Sequence, residues 1–426
     1  MPDFSLKYGR TSVSVRVPFG HLLDVLQART TLPLHDPAAA VAEALENPID
    51  SPPLSEVVRP TDRVLVIVPD ITRPAGASIY MPVLLDRLNR LGVPDTQISV
   101  LFALGHHRKQ TRAEQVGILG KDVAARVEFF DHDAYDKSSL VFLGTTRHGT
   151  PVWVNRRVVE ADKVIVTGSI TLHYFAGFGG GRKCIIPGTA ALETCQATHL
   201  HVFNKEGTGK NPLARTGILE GNPVHEDILE GVEMVPPHFL VNTIVDADQQ
   251  LLRVVAGDYI KSHREGCRLV MQMSSVSIPQ RADLVITSCG GFPKDINFIQ
   301  THKTLDYSIN AVRDGGVLVL LAECVDGFGH DTFHHWFRHQ DLKAFEHALR
   351  ANYEIYGQTA FSTLEKAKRV RVLLVSSLSD ADVRTMGIEP AHSAAEAIQR
   401  AHQMLGADAR YYVIPSGSTF FPLAQS

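Results

Sequence analysis

The sequence predicts an α/β protein of two domains, each with a mainly parallel sheet. The chain has 426 residues, which is more than a single hydrophobic core usually serves. Short apolar runs alternate with helix-like segments, as is typical of buried parallel strands. The alternation stops at a predicted hairpin, residues 238–258, and then restarts. We therefore expect domains over 1–265 and 266–426, with the last residues able to pack back on the first domain.

The predicted elements follow from local patterns. Alternating polar and apolar residues at the N-terminus predict a hairpin, and longer periodic segments between the apolar runs predict helices. The predicted strands of the first domain are 63–70, 97–105, 126–133 and 162–170, with a helix at 78–92. Those of the second domain are 282–291, 315–323, 369–377 and 411–418, with helices at 342–357 and 394–406.

Composition argues against several classes of partner. The net charge of −4 provides no basic surface for nucleic acid or an anionic membrane. No apolar run approaches the roughly 18 residues that a membrane helix needs, and the N-terminus lacks the apolar core of a signal peptide. The five cysteines form no CxxC pair, which favours reduced thiols and a cytoplasmic location.

Polar and glycine residues follow the predicted strands at equivalent positions. They lie at 69–74, 105–108 and 290–295, each directly after a strand, and at 173–183, a few residues after another. Ligands in open α/β sheets bind beyond the carboxyl ends of the strands, and pockets often form between domains. The sequence therefore predicts one active site in the cleft between the two domains.

The stretch HYFAGFGGGRKCIIPG, residues 173–188, contains the most distinctive of these loops. A nucleotide P-loop needs GxxxxGK followed by Ser or Thr, but here Arg182 intrudes and Cys184 follows the lysine. A dinucleotide GxGxxG motif fails because its third glycine is missing. Two interpretations stay open: a tight turn between a strand and a helix, and a backbone that approaches an anion closely.

Three histidines, His107, His173 and His199, are candidate bases or metal ligands. A single histidine in such a place is more often structural, but these three occur together with cationic residues. No HExxH zinc motif is present. His106 and His107 point to opposite sides if their segment is extended, so we expect only one of them to be catalytic.

Two cations and one acid complete the set of candidates. Arg73 and Lys303 are residue types that bind carboxylates, although surface cations are the ordinary alternative. Asp70 fits either a helix cap or a hydrogen-bonding partner of a ribose. The side chains of Phe175 and Phe178 either narrow the pocket or belong to the core.

The motifs DITRP, LGHHR, HYFAGFGGGRKCIIPG, ATH and GGFPKDINFIQTHK occur in this order between residues 70 and 303. Together they resemble the nickel-pincer-nucleotide lactate racemase family, a group of 2-hydroxyacid racemases and epimerases. The resemblance implies a cofactor, the nickel complex of pyridinium-3-thioamide-5-thiocarboxylic acid mononucleotide. It also implies that cofactor-biosynthesis enzymes are transient partners and that the substrate is a small molecule.

The resemblance assigns a role to each candidate. Lys183 is implied to tether the cofactor through a thioamide whose sulfur binds nickel, and His199 is implied to be a further nickel ligand. The acid/base pair is implied to be His107 and His173. The remaining implied contacts are Asp70, Gly179, Gly180 and Gly181 to the cofactor, and Arg73, Lys303 and Gln300 to the substrate.

The implied reaction is racemisation of a small, lactate-like 2-hydroxyacid by proton-coupled hydride transfer through a 2-keto acid. Acid/base groups on two sides of the substrate suit a racemase. Alternatives within the family are a C2 epimerase of a larger hydroxyacid, such as a sugar acid, and a racemase of a dicarboxylic or aromatic 2-hydroxyacid. A carrier of the nickel cofactor would not need both histidines, and a metal-dependent hydrolase would need an open metal position with bound water.

Overall fold

A computed structural model describes residues 2–28, 31–246 and 248–424 of the chain. The chain forms two compact units. The first is Thr31–Gln272, and the second joins the chain before Thr31 to the chain from Met273 onward.

The strands of the N-terminal part are β1 (Asp3–Tyr8), β2 (Thr11–Arg16), β3 (His21–Val25), β4 (Val64–Pro69), β5 (Ile98–Ala103), β6 (Glu128–Asp131), β7 (Leu140–Thr145), β8 (Pro151–Asn155), β9 (Lys163–Ser169), β10 (Leu172–His173), β11 (Gly177–Phe178), β12 (Phe239–Val245) and β13 (Leu251–Gly257). Those of the C-terminal part are β14 (Ser275–Ile278), β15 (Ala282–Ser288), β16 (Val312–Leu321), β17 (Arg371–Val375), β18 (Glu389–Ala391), β19 (Arg410–Ile414) and β20 (Phe421–Ala424).

The helices up to the end of the first unit are α1 (Pro37–Glu46), α2 (Leu54–Val57), α3 (Ala77–Arg90), α4 (Arg112–Leu119), α5 (Lys121–Arg126), α6 (Arg156–Glu160), α7 (Leu192–Leu200), α8 (Pro223–Glu233) and α9 (Lys261–Ser274). The later helices are α10 (Phe298–Ser308), α11 (Asp331–His335), α12 (Leu342–Ala351), α13 (Ile355–Arg369), α14 (Asp380–Thr385) and α15 (Ala394–Leu405). A 3-10 helix, Gly181–Cys184, lies within the glycine-rich stretch.

The first unit is built on a six-stranded sheet with the order β13-β12-β9-β4-β5-β6. All its pairings are parallel except that of β12 with β13, which form the predicted hairpin. Every residue of β4 is buried, as its uninterrupted apolar sequence predicts for a central parallel strand. Helix α3 packs its apolar face, including Leu84 and Leu88, into the same core. Because β4, β5 and β9 are parallel neighbours, the loops that follow them begin at one edge of the sheet.

The second unit contains a six-stranded, all-parallel sheet with the order β18-β17-β16-β15-β19-β3. Strand β3, from the N-terminus, pairs with β19. The β1-β2 hairpin contributes Leu6 and Val15 to the core that contains Leu284 and Val319. The predicted boundaries, 1–265 and 266–426, differ from this division because the N-terminal segment completes the C-terminal sheet.

The end of the chain also belongs to the second unit. Strand β20, which contains the last described residues, pairs in parallel with β14. The predicted packing of the last residues on the first domain stays a prediction. The predicted helix at 342–357 is two helices, α12 and α13, with residues 352–354 between them. The β7-β8 hairpin was not predicted.

The predictions about membranes and cysteines can be compared with the structure. In the part of the chain that the structure describes, no helix is long and apolar enough to cross a membrane. All five cysteines are buried free thiols, as their spacing predicts.

Candidate active site

The loop after β4 holds a buried carboxylate, Asp70, which is only 4% exposed. Its Oδ2 atom lies 2.5 Å from the Nδ1 atom of His107. Its Oδ1 atom accepts hydrogen bonds from the backbone N–H and the hydroxyl of Thr72, at 3.1 and 2.7 Å. Asp70 therefore does not cap a helix, since α3 has Gly76 at its N-cap and no side-chain cap. It stabilises its own turn and orients a histidine from the next loop.

The loop after β5 turns sharply instead of continuing as a strand. Gly105 has a φ of +55°, and the backbone N–H of His107 donates to the carbonyl of Leu104 at 3.0 Å. The assumption of an extended segment for His106 and His107 was therefore wrong, because the side chains of a turn do not alternate. His107 differs from His106 in its contact with Asp70, and this contact marks it as the catalytic candidate. If Nδ1–H donates to that carboxylate, the Nε2 atom carries the lone pair and can accept a proton.

The pKa values in this pair of loops favour a charged Asp70 and a neutral His106. Burial opposes ionisation of Asp70, but the hydrogen bond and charge of His107, with Thr72 and Arg73, outweigh it and hold the pKa of Asp70 below its ordinary value. Burial, together with the charges of His107 and Arg73, lowers the pKa of His106 to about 4. The rings of His106 and His107 meet edge to face at 4.8 Å.

The stretch after β9 brings three predicted residues around one phenylalanine. His173 lies in the short β10-β11 ribbon, paired with Gly177. The buried ring of Phe175 lies 4.5 Å from the ring of His173 and 4.9 Å from the ring of His199, and 5.7 Å from the Nζ atom of Lys183. Phe175 is therefore buried in the core and also forms one wall of the candidate site. Its sequence context had left these two roles as alternatives.

His199 is held near the end of α7 in a defined orientation. Its Nδ1 atom lies 2.5 Å from the carbonyl oxygen of Cys195, one helical turn earlier, which fits an Nδ1–H donor. The Nε2 atom is then the unprotonated nitrogen, as a metal-binding imidazole requires, and the backbone contact fixes the ring. Burial, with a smaller effect of Lys183, lowers the pKa of His199 to about 3, so the ring stays neutral.

Burial favours the neutral forms of Lys183 and His173. Burial, reinforced by the charges of Arg182 and Arg73, lowers the pKa of Lys183 well below its ordinary value. Burial also lowers the pKa of His173 well below its ordinary value, and the charge of Arg73 adds to the effect. A lower pKa makes the nucleophilic form of the Lys183 amine more accessible, and the neutral imidazole of His173 can accept a proton.

Close packing explains part of the glycine-rich stretch. A Cβ atom at Gly177 would lie 2.0 Å from the carbonyl oxygen of Ile218, and one at Gly181 would lie 2.6 Å from Leu240 on β12. These positions need glycine for the turn and for contact with the sheet. The cofactor contacts of Gly179, Gly180 and Gly181 stay predictions.

A pocket of about 140 Å³ lies between the end of β4 and the start of α3. Asp70 and Arg73 line it, together with Gly76, Ser78 and Ile118. The first turn of a helix offers backbone N–H groups and a positive dipole end, which favour an anionic group. The phosphate of a mononucleotide is an anionic group that could bind at such a helix terminus.

The remaining predicted substrate contacts lie in the second unit. Lys303 and Gln300 are on α10, where the Nζ atom of Lys303 donates to Oε1 of Gln300 at 2.9 Å. The backbone N–H of Gln300 donates to Oδ1 of Asn297, the N-cap of this helix. The two side chains therefore form one polar pair in the first two turns of α10.

The described part of the chain contains no group of three or more His, Cys, Asp or Glu side chains that could hold a metal ion. A metal at His199 would therefore need most of its donors from a bound molecule. The predicted cofactor has this property, since it carries its own sulfur and carbon donors. His199 fits such a group, and so does Lys183 beside it, whose pKa is lowered by burial.

Acidification is expected to destabilise the first unit through its buried histidines. Burial lowers the pKa of His225 to about 3, whereas an unfolded histidine titrates near 6.5. Below about pH 6.5, His225 binds a proton in the unfolded chain but not in the folded chain, so the free energy of unfolding falls as the pH decreases. Between about pH 6.5 and pH 5, His225 alone should cost roughly 2 kcal/mol in the free energy of unfolding.

Urea unfolding followed across this pH range would check the prediction. The His225→Gln variant should show a shallower loss of stability than the unmodified chain. An unfolding free energy that stays constant from neutral pH to about pH 5 would contradict it.

Comparisons with known proteins cover nearly the whole chain. A family model described as lactate racemase N-terminal domain matches residues 8–210, and one described as lactate racemase C-terminal domain matches residues 278–421. The lactate racemase of Thermoanaerobacterium thermosaccharolyticum is 31% identical over 428 residues, covering 98% of each chain. That of Lactiplantibacillus plantarum is 33% identical and covers 88% of this chain and 89% of its own.

Solved structures show the same likeness. The lactate racemase apoprotein of T. thermosaccharolyticum superposes with a TM-score of 0.90 at 30% identity, covering all of both chains. A Thermotoga maritima protein matches with a TM-score of 0.64 at 18% identity, over 92% of this chain and all of its own, and shares the fold.

Proposed function

Because the chain belongs to the lactate racemase family, we propose that this isomerase interconverts the two enantiomers of a small, lactate-like 2-hydroxyacid. The observation that carries the proposal is the placement of two proton-accepting histidines in different loops of one unit. His107 is oriented by Asp70, and His173 lies against Phe175 with Lys183 and His199 beside it. Inversion of a stereocentre requires proton transfer at two alternative positions, which one histidine cannot provide.

The proposed cofactor is the nickel-pincer nucleotide. Its tether would be Lys183, whose neutral amine suits a covalent bond, and His199 would bind nickel through Nε2. The nucleotide phosphate would bind at the start of α3, in the pocket that Asp70 and Arg73 line. When bound, the cofactor supplies the acceptor for the hydride of the substrate α-carbon, which no protein side chain can supply.

The protein's own part in the reaction is to hold the substrate and move its proton. Arg73 is exposed and its charge influences Asp70, His106 and Lys183, so it would bind the substrate carboxylate within reach of the histidines. One histidine, in its neutral form, would accept the hydroxyl proton. After the 2-keto acid has turned, the other histidine, which must enter the cycle protonated, would donate its own proton to the substrate oxygen. We also propose that Lys303 and Gln300 contact the substrate.

Replacing Asp70 with asparagine is expected to lower kcat roughly 10²-fold while leaving KM nearly unchanged. The amide cannot replace the carboxylate that accepts from Nδ1 of His107, and its own N–H can donate to Nδ1 and favour the opposite tautomer. Steady-state kinetics of the cofactor-loaded variant, with circular dichroism to establish folding, would check this. An unchanged kcat would contradict the proposed role of Asp70 in orienting His107.

A chiral assay of the loaded enzyme tests the function directly. The chain would be co-expressed with cofactor-biosynthesis enzymes and supplied with single enantiomers of lactate, malate, phenyllactate and a sugar acid. We expect racemisation of the lactate-like substrate in preference to the others. Activity confined to a sugar acid would instead indicate a C2 epimerase, and activity on malate or phenyllactate a racemase of dicarboxylic or aromatic hydroxyacids. No interconversion of any substrate by fully loaded enzyme would overturn the proposal.

A further inference from the structure

Arg182, in the glycine-rich stretch next to Lys183, is buried in a way that the proposed reaction does not explain. It is 1% exposed and is the largest fully buried side chain among the described residues. Its Nε and Nη2 atoms have no hydrogen-bond partner in the part of the chain that the structure describes. Burial lowers the pKa of Arg182 to about 10, so the guanidinium still carries its charge at neutral pH.

The side-chain hydrogen bonds described for Arg182 go to a single ring, that of His263, which is a poor acceptor for it. The Nε2 atom of His263 lies 2.8 Å both from Nη1 of Arg182 and from the carbonyl oxygen of Gly179. One ring nitrogen cannot accept from the arginine and donate to the carbonyl at the same time. If it donates to Gly179, the arginine is left with Nδ1 of His263 at 3.4 Å. Arg182 thus lacks a strong acceptor.

The unpartnered atoms Nε and Nη2 form the edge of the guanidinium that binds planar anions with two parallel hydrogen bonds. Elsewhere in this chain the same edge binds a carboxylate. The Nε and Nη2 atoms of Arg268 donate to the two oxygens of Glu265 at 2.8 and 2.6 Å. Those of Arg371 donate to Glu389 at 3.1 and 2.9 Å. At Arg182 this edge is turned into the protein interior.

No described neighbour neutralises the charge of Arg182. Burial raises the pKa of the Cys267 thiol to about 12, so this nearby sulfur stays protonated. Arg264, which also acts on this region electrostatically, is paired on the surface with Glu220 at 3.0 Å. An uncompensated buried charge is costly, and a water molecule could supply hydrogen bonds but no opposite charge.

A second buried polar group near Arg182 lacks a partner among the described residues. It is the Nδ1 atom of His225 on α8, a ring that is 5% exposed. Besides burial, the charge of Arg182 lowers the pKa of His225, so the two side chains lie close together. The Nδ1 atom of this neutral ring can donate a hydrogen bond to an anion.

We propose that Arg182, with His225, binds a small monovalent anion, a halide or a planar oxyanion such as bicarbonate, behind the glycine-rich stretch. The anion would compensate the guanidinium and complete the packing of the 3-10 helix on α8 and α9. This site is independent of the proposed function, because it is defined by residues that have no part in the proposed reaction.

Thermal unfolding of the full-length chain at constant ionic strength tests the proposal. Sodium gluconate would be replaced stepwise by chloride, bromide, bicarbonate or phosphate. We expect a saturable rise in melting temperature of about 5 °C when the favoured monovalent anion is about twentyfold above its dissociation constant. Arg264→Met is the matched control, since it removes a neighbouring surface cation, and it should respond like the unmodified chain.

The Arg182→Met and Arg182→Lys variants should lose this dependence on the anion. The lysine variant keeps the positive charge but lacks the paired Nε and Nη2 donors, so it provides the test if the methionine variant does not fold. A crystal structure with bromide should show an anomalous peak at Arg182, or a planar density there with bicarbonate. A melting temperature that does not depend on the anion would overturn the proposal. So would a response to phosphate alone, or water alone at Arg182 in the crystals.

Discussion

The His173→Ala and His107→Ala variants are each expected to lose racemisation by about three orders of magnitude, within the roughly 10²- to 10⁴-fold range of general acid–base catalysis. The reason is geometric, since two histidines from separate loops would serve the two enantiomers. His173 is held neutral by burial and His107 is oriented by Asp70. Both variants should keep nickel and cofactor, because neither residue is a proposed nickel ligand or tether.

A chiral assay and metal analysis of the same preparations would measure both properties. The matched control is His106→Asn, which changes the neighbouring ring but leaves the contact between Asp70 and His107 intact. It should retain most of the activity. If the His106 variant were inactive and the His107 variant active, the assignment within this pair would be reversed. Loss of nickel in the His173 variant would instead indicate a structural role.

Replacing Lys183 with alanine is expected to abolish the covalent adduct and reduce activity to background. The neutral amine of Lys183 is the proposed attachment point, and its burial beside Phe175 and His199 leaves no equivalent amine among the groups described there. Intact-protein mass spectrometry after co-expression with cofactor-biosynthesis enzymes would show the adduct on the unmodified chain and its absence from the variant.

The matched control for this experiment is Lys205→Ala, which removes an exposed lysine and should leave the adduct and activity unchanged. An unmodified mass in active wild-type enzyme would exclude an obligatory tether. An adduct that persists in the Lys183 variant would place the attachment elsewhere. Neither result would test the assignment of His107 and His173 as the acid/base pair, which depends on the chiral assay.

Much of the fold could be predicted because its strands are short apolar runs buried on both faces. The runs at 63–70 and 162–170, for example, correspond to β4 and β9, the central pair of the first sheet. The N-terminal hairpin and the 238–258 hairpin are also present. The break between α12 and α13 was missed because no glycine or proline marks it in the sequence of residues 342–356.

The residues of the candidate site were named from motifs, but their contacts could not be. Phe175 was undecided between pocket and core, and the structure places it against His173 and His199. Asp70 was expected to cap a helix or contact a ribose; it caps no helix, and its carboxylate contacts His107. The contacts of Phe175 with His199 and of Asp70 with His107 join residues distant in the chain, and a sequence pattern carries no information on such distances. The predicted contact of Asp70 with a ribose is untested.

The sequence by itself determined the α/β class, the succession of strands and helices, and the chemical types of the candidate residues, because periodicity and residue type are local properties. Only the tertiary structure decided which segments share a unit, since β3 joins β19 across almost the whole length of the chain. It also decided which protonation states the side chains of the candidate site favour. Burial and neighbouring charges set the pKa values of Lys183 and His173, and both depend on what the fold brings together.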